Sequence, residues 1–153
     1  MKPLLILLIT FGIAIIITSI SGAGNGIALA GRIAMAVMLF FTAIAHFKVT
    51  KGMAMMLPPF VPYKKGMVLS TGIVEFAAAA GLLIPSLQIT TAWLLILFFI
   101  FILPANIYAA TRKVDYEKGT YNGKGVNYLW FRVPLQLLFI IWTYYFAIYR
   151  PGS

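Results

Sequence analysis

Five apolar runs, separated by charged, glycine-rich or proline-broken stretches, set the pattern of the chain: 4–20, 30–47, 67–84, 90–110 and 128–149. Each holds about 17–22 residues, and at 1.5 Å rise per residue a helix of that length crosses the ~30 Å hydrocarbon of a bilayer. None shows the strict alternation of a half-buried strand. The pattern predicts an all-α fold: a polytopic transmembrane helical bundle of five spans. No internal repeat stands out, and residues 1–153 read as a single transmembrane domain.

Composition and charge sharpen this. The chain is 62% hydrophobic and only 10% charged, where a soluble domain carries about 25% charged residues. Its surface belongs in a lipid bilayer. The net charge of +9 raises nucleic acid as a partner, but the cations sit between the apolar runs rather than along a binding stripe. No nucleic-acid partner is expected. Lys2, Lys48, Lys51, Lys64, Lys65, Arg112, Lys113, Lys118 and Lys124 fall on one side of an alternating five-span chain, with Arg32 and Arg150 on the other. The positive-inside rule then places the N-terminus and both long loops in the cytoplasm, and a bacterial inner membrane is the expected location. With no cysteine in the chain, disulfides, thiol nucleophiles and iron–sulfur ligation are excluded. A single histidine, His46, excludes a bis-histidine haem held by one chain, and no metal site is expected.

The first run, within residues 1–22, is an extra N-terminal span or an uncleaved signal-like helix. Ala28-Leu29-Ala30 resembles a cleavage site, yet the apolar part exceeds the ~7–15 residues of a signal core. An uncleaved helix is the expectation, joined to the core at 30–149 by the flexible turn Ser21-Gly-Ala-Gly-Asn-Gly26. The 48–66 loop holds Met53-Ala-Met-Met-Leu57-Pro-Pro-Phe60-Val-Pro62-Tyr63, too apolar for free solvation and too proline-broken to span. It is expected to lie at the interface or re-enter the membrane, flanked by snorkelling lysines. The 112–127 loop is polar and predicts a turn or short hairpin. Its Gly119, Gly123, Lys124 and Gly125 look phosphate-loop-like, but the spacing fails and no strand precedes them.

Glu75 is the most informative residue. It lies about eight residues into its run, hence ~12 Å deep, where a bare carboxylate costs roughly 2.5–3.5 kcal/mol. It must be neutral, paired or facing water. Arg132 and Asn106 lie ~6 Å from the same face, His46 in the last turn of its helix, and Gln136 one turn beyond Arg132. Four runs thus each deliver polar side chains into the cytoplasmic half, while the outer half carries almost none. Glu75 is expected to pair with Arg132, directly or through water. Each residue also has a plain structural role: Arg132 snorkelling, His46 ending a helix, Asn106 bonding backbone freed by Pro104, Gln136 linking helices. Gly72, Ala78, Ala79 and Gly81 let neighbouring helices approach closely.

Gly31-Arg32, Ala45-His46-Phe47, Leu57-Pro-Pro-Phe-Val-Pro62, Gly72-Ile-Val-Glu75, Pro104-Ala-Asn106-Ile-Tyr108 and Leu129-Trp-Phe-Arg132-Val-Pro134-Leu-Gln136 together resemble the DoxX family of small integral membrane proteins, over about residues 31–149. The resemblance implies a four-helix core, with the first run as an addition. It also implies an association with quinone-linked sulfur oxidation or oxidative-stress complexes, or, among distant relatives, with assembly of other membrane proteins. It places Glu75, Asn106, Arg132 and Gln136 at motif positions and transfers no catalytic role.

Three functions fit these residues. In the first, Glu75, Arg132, Asn106, His46 and Gln136 form a ligand site for a quinone or similar amphipath, within a redox-linked complex. Arg132, Asn106 or His46 would donate to the carbonyls and Glu75 would exchange protons. The chain has no evident redox centre, so electrons would come from a bound cofactor or a membrane or redox protein partner. In the second, it is a non-enzymatic assembly or interaction protein. In the third, it moves protons or a small solute as a homo-oligomer.

Overall fold

The computed structural model describes residues 2–22 and 24–150, and these are helical almost throughout. Helix α1 spans Lys2–Ile20, α2 Gly26–Lys48, α3 Thr50–Ala54, α4 Lys64–Gly81, α5 Gln88–Thr111 and α6 Leu129–Thr143. A 3₁₀ turn at Val126–Tyr128 leads into α6, and a π-helical segment at Tyr144–Tyr149 continues it. Ala23, inside the expected 21–26 turn, lies outside the described residues. All five apolar runs form helices, most of them extended by two to four residues at an end.

Among the described residues, four segments are long and apolar enough to cross a membrane: Lys2–Ile20, Gly26–Lys48, Gln88–Thr111 and Val126–Tyr149. Helix α4 is not among them. Its 18 residues open on Lys64-Lys65 and carry Glu75, so polarity rather than length sets it apart.

Each long helix builds its packing face from residues three and four apart, the spacing that puts side chains on one face. On α2 the buried stripe runs Ala28, Arg32, Met35, Leu39, Ala43 and reaches His46 one turn later. On α4 it is Val68, Gly72, Glu75, Ala79; on α5, Gln88, Ala92, Leu95, Phe99. Along α6 it is Gln136, Phe139, Thr143. Helix α2 is central, with α1 and α4 packed chiefly on it, while α5 packs chiefly on α6 and its π extension. Leu7 of α1 is fully buried, and Phe11 meets Trp142 edge-on at 4.8 Å.

Two glycines mark approaches that a side chain would forbid. A Cβ on Gly72 would lie 2.9 Å from the Cβ of His46, so α4 and α2 touch almost backbone to backbone there. Gly52 of α3 is pressed against the backbone carbonyl of Tyr116, which holds the 48–66 segment beneath the 112–127 loop. That loop makes a short hairpin, with Asp115 and Thr120 exchanging backbone bonds of 2.8 and 3.2 Å. Lys2 meets Glu117 at 3.0 Å, bringing the start of α1 to the same end.

Candidate functional site

A cavity of about 700 Å³ lies between the α2–α4 pair and the α5–α6 pair. All five residues singled out in the sequence line it: His46 from α2, Glu75 from α4, Asn106 from α5, and Arg132 and Gln136 from α6. Met38, Leu39, Phe98, Phe99, Phe101 and Phe139 supply much of the apolar wall. Met53, Met56 and Leu57 close it from the 48–66 segment, and Lys2, Lys48, Tyr116 and Glu117 stand at the loop end.

The partners inside differ from those expected. Glu75 makes no direct ion pair with Arg132, although both stand on the cavity wall. Its Oε1 lies 3.4 Å from Nε2 of His46, across the close approach at Gly72 one helical turn away. Because α4 packs on α2 and not on α6, the histidine reaches the carboxylate first. Arg132 instead lies over two aromatic rings, 5.6 Å from the centre of Tyr116 and 5.9 Å from that of Tyr128, at cation–π distance. Among the described residues it has no carboxylate partner.

The hydrogen-bond directions are set by groups with only one role. Nδ1 of His46 is 3.1 Å from the carbonyl of Val68 and 3.0 Å from Oγ1 of Thr71. That hydroxyl itself donates to the Val68 carbonyl at 2.7 Å. A carbonyl only accepts, so Nδ1 carries the hydrogen. Nε2 then faces Oε1 of Glu75. The other carboxyl oxygen, Oε2, is buried with no hydrogen-bond partner. Gln136 donates its Nε2 to the carbonyl of Phe99, which turns its Oε1 to accept from Nδ2 of Asn106 at 2.9 Å. Asn106 therefore does not bond the backbone near Pro104, as the sequence led one to expect. One of its two N–H donors is engaged, and its Oδ1 accepts no hydrogen bond among the described residues. Gln136 links α6 to α5 as anticipated. Tyr116, in the loop, has its phenol pushed above the ordinary value by burial, against the opposing pull of Arg132. It remains a neutral donor at physiological pH.

The outer half is not free of buried polarity. Arg32, read in the sequence as a topology charge, is 6% exposed and donates to Oε1 of Gln88. Gln88 passes the interaction on, donating Nε2 to the carbonyl of Ala147 at 2.8 Å. Gln88 sits two residues before the apolar run that marks α5 in the sequence. The four-residue step from Gln88 to Ala92, like that from Ala28 to Arg32, was the available signal. Neither residue lines the large cavity.

Among the described residues, no third histidine, aspartate, glutamate or cysteine joins His46 and Glu75 in a metal-binding group. The arrangement is a predominantly apolar chamber with acceptors on its wall and a cation toward its loop end.

Fold and site thus define a class: an all-helical bundle with membrane-spanning potential and a side chamber of mixed polarity. A family described as a domain of unknown function, DUF8561, matches residues 35–147, and the chain belongs to it. No curated protein and no solved structure matches the chain.

Proposed function

We propose that this is a five-span bacterial inner-membrane protein whose cytoplasmic-side cavity binds an amphipathic aromatic molecule of quinone type, as a subunit of a redox-linked membrane complex. The carrying observation is the cavity itself: about 700 Å³, within the ~300–1,000 Å³ of small-molecule sites, with phenylalanines along its wall and all five polar residues on it. Aromatic walls favour a flat ring through offset and edge-on contacts. The fifth span is α4, whose 18 residues rise ~27 Å. The burial of Leu7 supports α1 as a retained span. The Lys2–Glu117 contact supports a common side for the N-terminus and the 112–127 loop, and the lysine count makes that side cytoplasmic. The DoxX-like motif positions, Glu75, Asn106, Arg132 and Gln136, all lie on the cavity wall and support a redox-linked setting.

Transport fits less well. Beyond the deep wall at Met38, Leu39 and Phe99, the bundle is filled by fully buried Met35, Ala92 and Leu95 and by the Arg32–Gln88 pair.

Purification in native-lipid nanodiscs, followed by mass spectrometry of co-purified small molecules, tests the proposal. Ala105 lines the cavity, and Ala105→Trp places an indole in it. A flat amphipath enriched with the wild type and lost from a folded Ala105→Trp protein is the expected result. The same molecules at the same levels in both would overturn ligand binding at this site.

A further inference from the structure

The directions of the hydrogen bonds around the cavity restrict which form of an aromatic amphipath it takes. On the deep wall Nδ1 of His46 and the Thr71 hydroxyl are engaged, while the amide nitrogens of Asn106 and Gln136 each have one N–H engaged and one left over. Nδ1 of His46 donates to the Val68 carbonyl and Thr71, and Nδ2 of Asn106 donates to Gln136. Nε2 of Gln136 donates to Phe99, and the Thr71 hydroxyl to Val68. Against the two N–H groups left over stand two acceptors, Oε2 of Glu75 and Oδ1 of Asn106. Of these groups Oε2 alone is buried without a partner among the described residues. The oxygen of a carboxylate, like the carbonyl oxygen of a carboxylic acid, is an acceptor. A buried acceptor without a donor is costly, more so when charged. Its terminal torsion is soft, so a donor arriving in the cavity brings Oε2 round to meet it. The cations on the wall, Arg132, Lys2 and Lys48, lie toward the loop end. There Arg132 is held by Tyr116 and Tyr128, and Lys2 by Glu117.

We infer that the ligand enters as a hydrogen-bond donor. The cavity selects an amphipathic phenol or hydroquinone, bonded through O–H to Glu75 and Asn106, over the corresponding quinone or an O-alkylated analogue. This rests on the cavity being the ligand site and names the substrate class that site prefers.

Three probes with one tail test it by equilibrium dialysis against protein in lipid nanodiscs, with protein-free nanodiscs as blank and the medium kept reducing for the first probe. They are an alkyl hydroquinone, its dimethyl ether and the matching quinone. The hydroquinone is expected to bind about 10- to 100-fold more tightly than either of the others, the worth of one hydrogen bond to a charged acceptor. Equal binding, or a preference for quinone or ether, overturns the inference while leaving the cavity as a ligand site. No saturable binding of any probe overturns both. Glu75→Leu, which removes the acceptor and leaves an apolar wall, is expected to bring the hydroquinone down to the level of its ether and to leave the ether unchanged. A preference that survives in this variant overturns the assignment to Glu75.

Discussion

Among the described residues two polar clusters are buried, one near each end of the bundle, and they differ in the space beside them. At the outer end Arg32 and Gln88 are packed on all sides and closed off by the carbonyl of Ala147. At the inner end His46, Glu75, Asn106 and Gln136 are linked in two pairs, yet they stand on the wall of a large cavity with acceptors to spare. Burial of a charged group is thus no pointer to a site by itself. Arg32 is as buried as Glu75, at 6% against 5% exposed. Each keeps one buried atom without a partner among the described residues, Nε of Arg32 and Oε2 of Glu75, and it is the open volume beside Glu75 that separates the two. The outer cluster holds helices α2, α5 and the π segment together; the inner one holds a space open.

The comparison breaks most sharply at Gln88. Gln88→Leu leaves the guanidinium of Arg32 without its acceptor, and a buried charged group stripped of its hydrogen-bond partner costs upward of about 3 kcal/mol. Unfolding in detergent micelles should show a loss of that order, with ligand binding at the inner end unchanged in whatever fraction stays folded. Adding Arg32→Met should recover most of the loss, because a well-packed apolar pair replaces the polar one at little cost. A full loss that persists in the double variant would mean that Gln88 matters for something other than Arg32.

Next in size is Gly72→Val. The added methyls meet His46 and Phe47 at once, and overpacking of this kind costs about 1–3 kcal/mol. It also drives α4 off α2 where Glu75 reaches His46. Stability and ligand affinity should fall together, unlike the outer variant, in which only stability falls. Ligand binding that survives unchanged would show that the His46–Glu75 contact does not shape the cavity.

How much of this contrast was legible beforehand differs between the two ends. The five apolar runs already gave the helices, and the polar residues toward their lysine-rich ends already gave His46, Glu75, Asn106, Arg132 and Gln136. Depth along a helix follows from rise per residue, and depth is what brings these five to one level. Which of them touch depends on which helices are neighbours and how each is rotated, and neither is written in hydropathy. Hence Glu75 was matched to Arg132, the one long cation within reach, although α4 packs on α2. Gly72, opposite His46, was the local hint. Arg32 was missed for another reason. A lone arginine near a span end fits the positive-inside count as a loop charge, and only its place on the stripe Ala28, Arg32, Met35, Leu39 marks it as buried.

Glu75→Leu sharpens the comparison from the functional side. Where Gln88→Leu strips a buried cation of its partner, Glu75→Leu removes a carboxylate whose Oε2 has none and leaves His46 free to be neutral. Thermal unfolding in nanodiscs should change by less than about 1.5 kcal/mol, in line with a volume-conserving swap, while the preference for hydroxylated ligands disappears. A loss as large as that of Gln88→Leu would make the inner cluster a structural device like the outer one.

The smallest expected effect lies outside both clusters, at the loop that covers the inner cavity. Burial holds the Tyr116 phenol above the ordinary value, about 10, so the folded protein keeps this proton where the unfolded chain loses it. Between the unfolded and folded values the native state binds more protons, and stability must fall as pH rises. The contribution is complete below about pH 10 and is lost as pH climbs through the folded value. Tyr116→Phe should therefore flatten the alkaline limb of a stability–pH profile and leave the neutral region alone. Arg132 pulls the same phenol down. Arg132→Met should accordingly raise the pH at which Tyr116 ionises, read by ultraviolet difference titration against Tyr116→Phe. An unchanged titration would mean that the guanidinium and the phenol do not sense each other, and that the loop does not rest on Arg132 as the cover of the cavity.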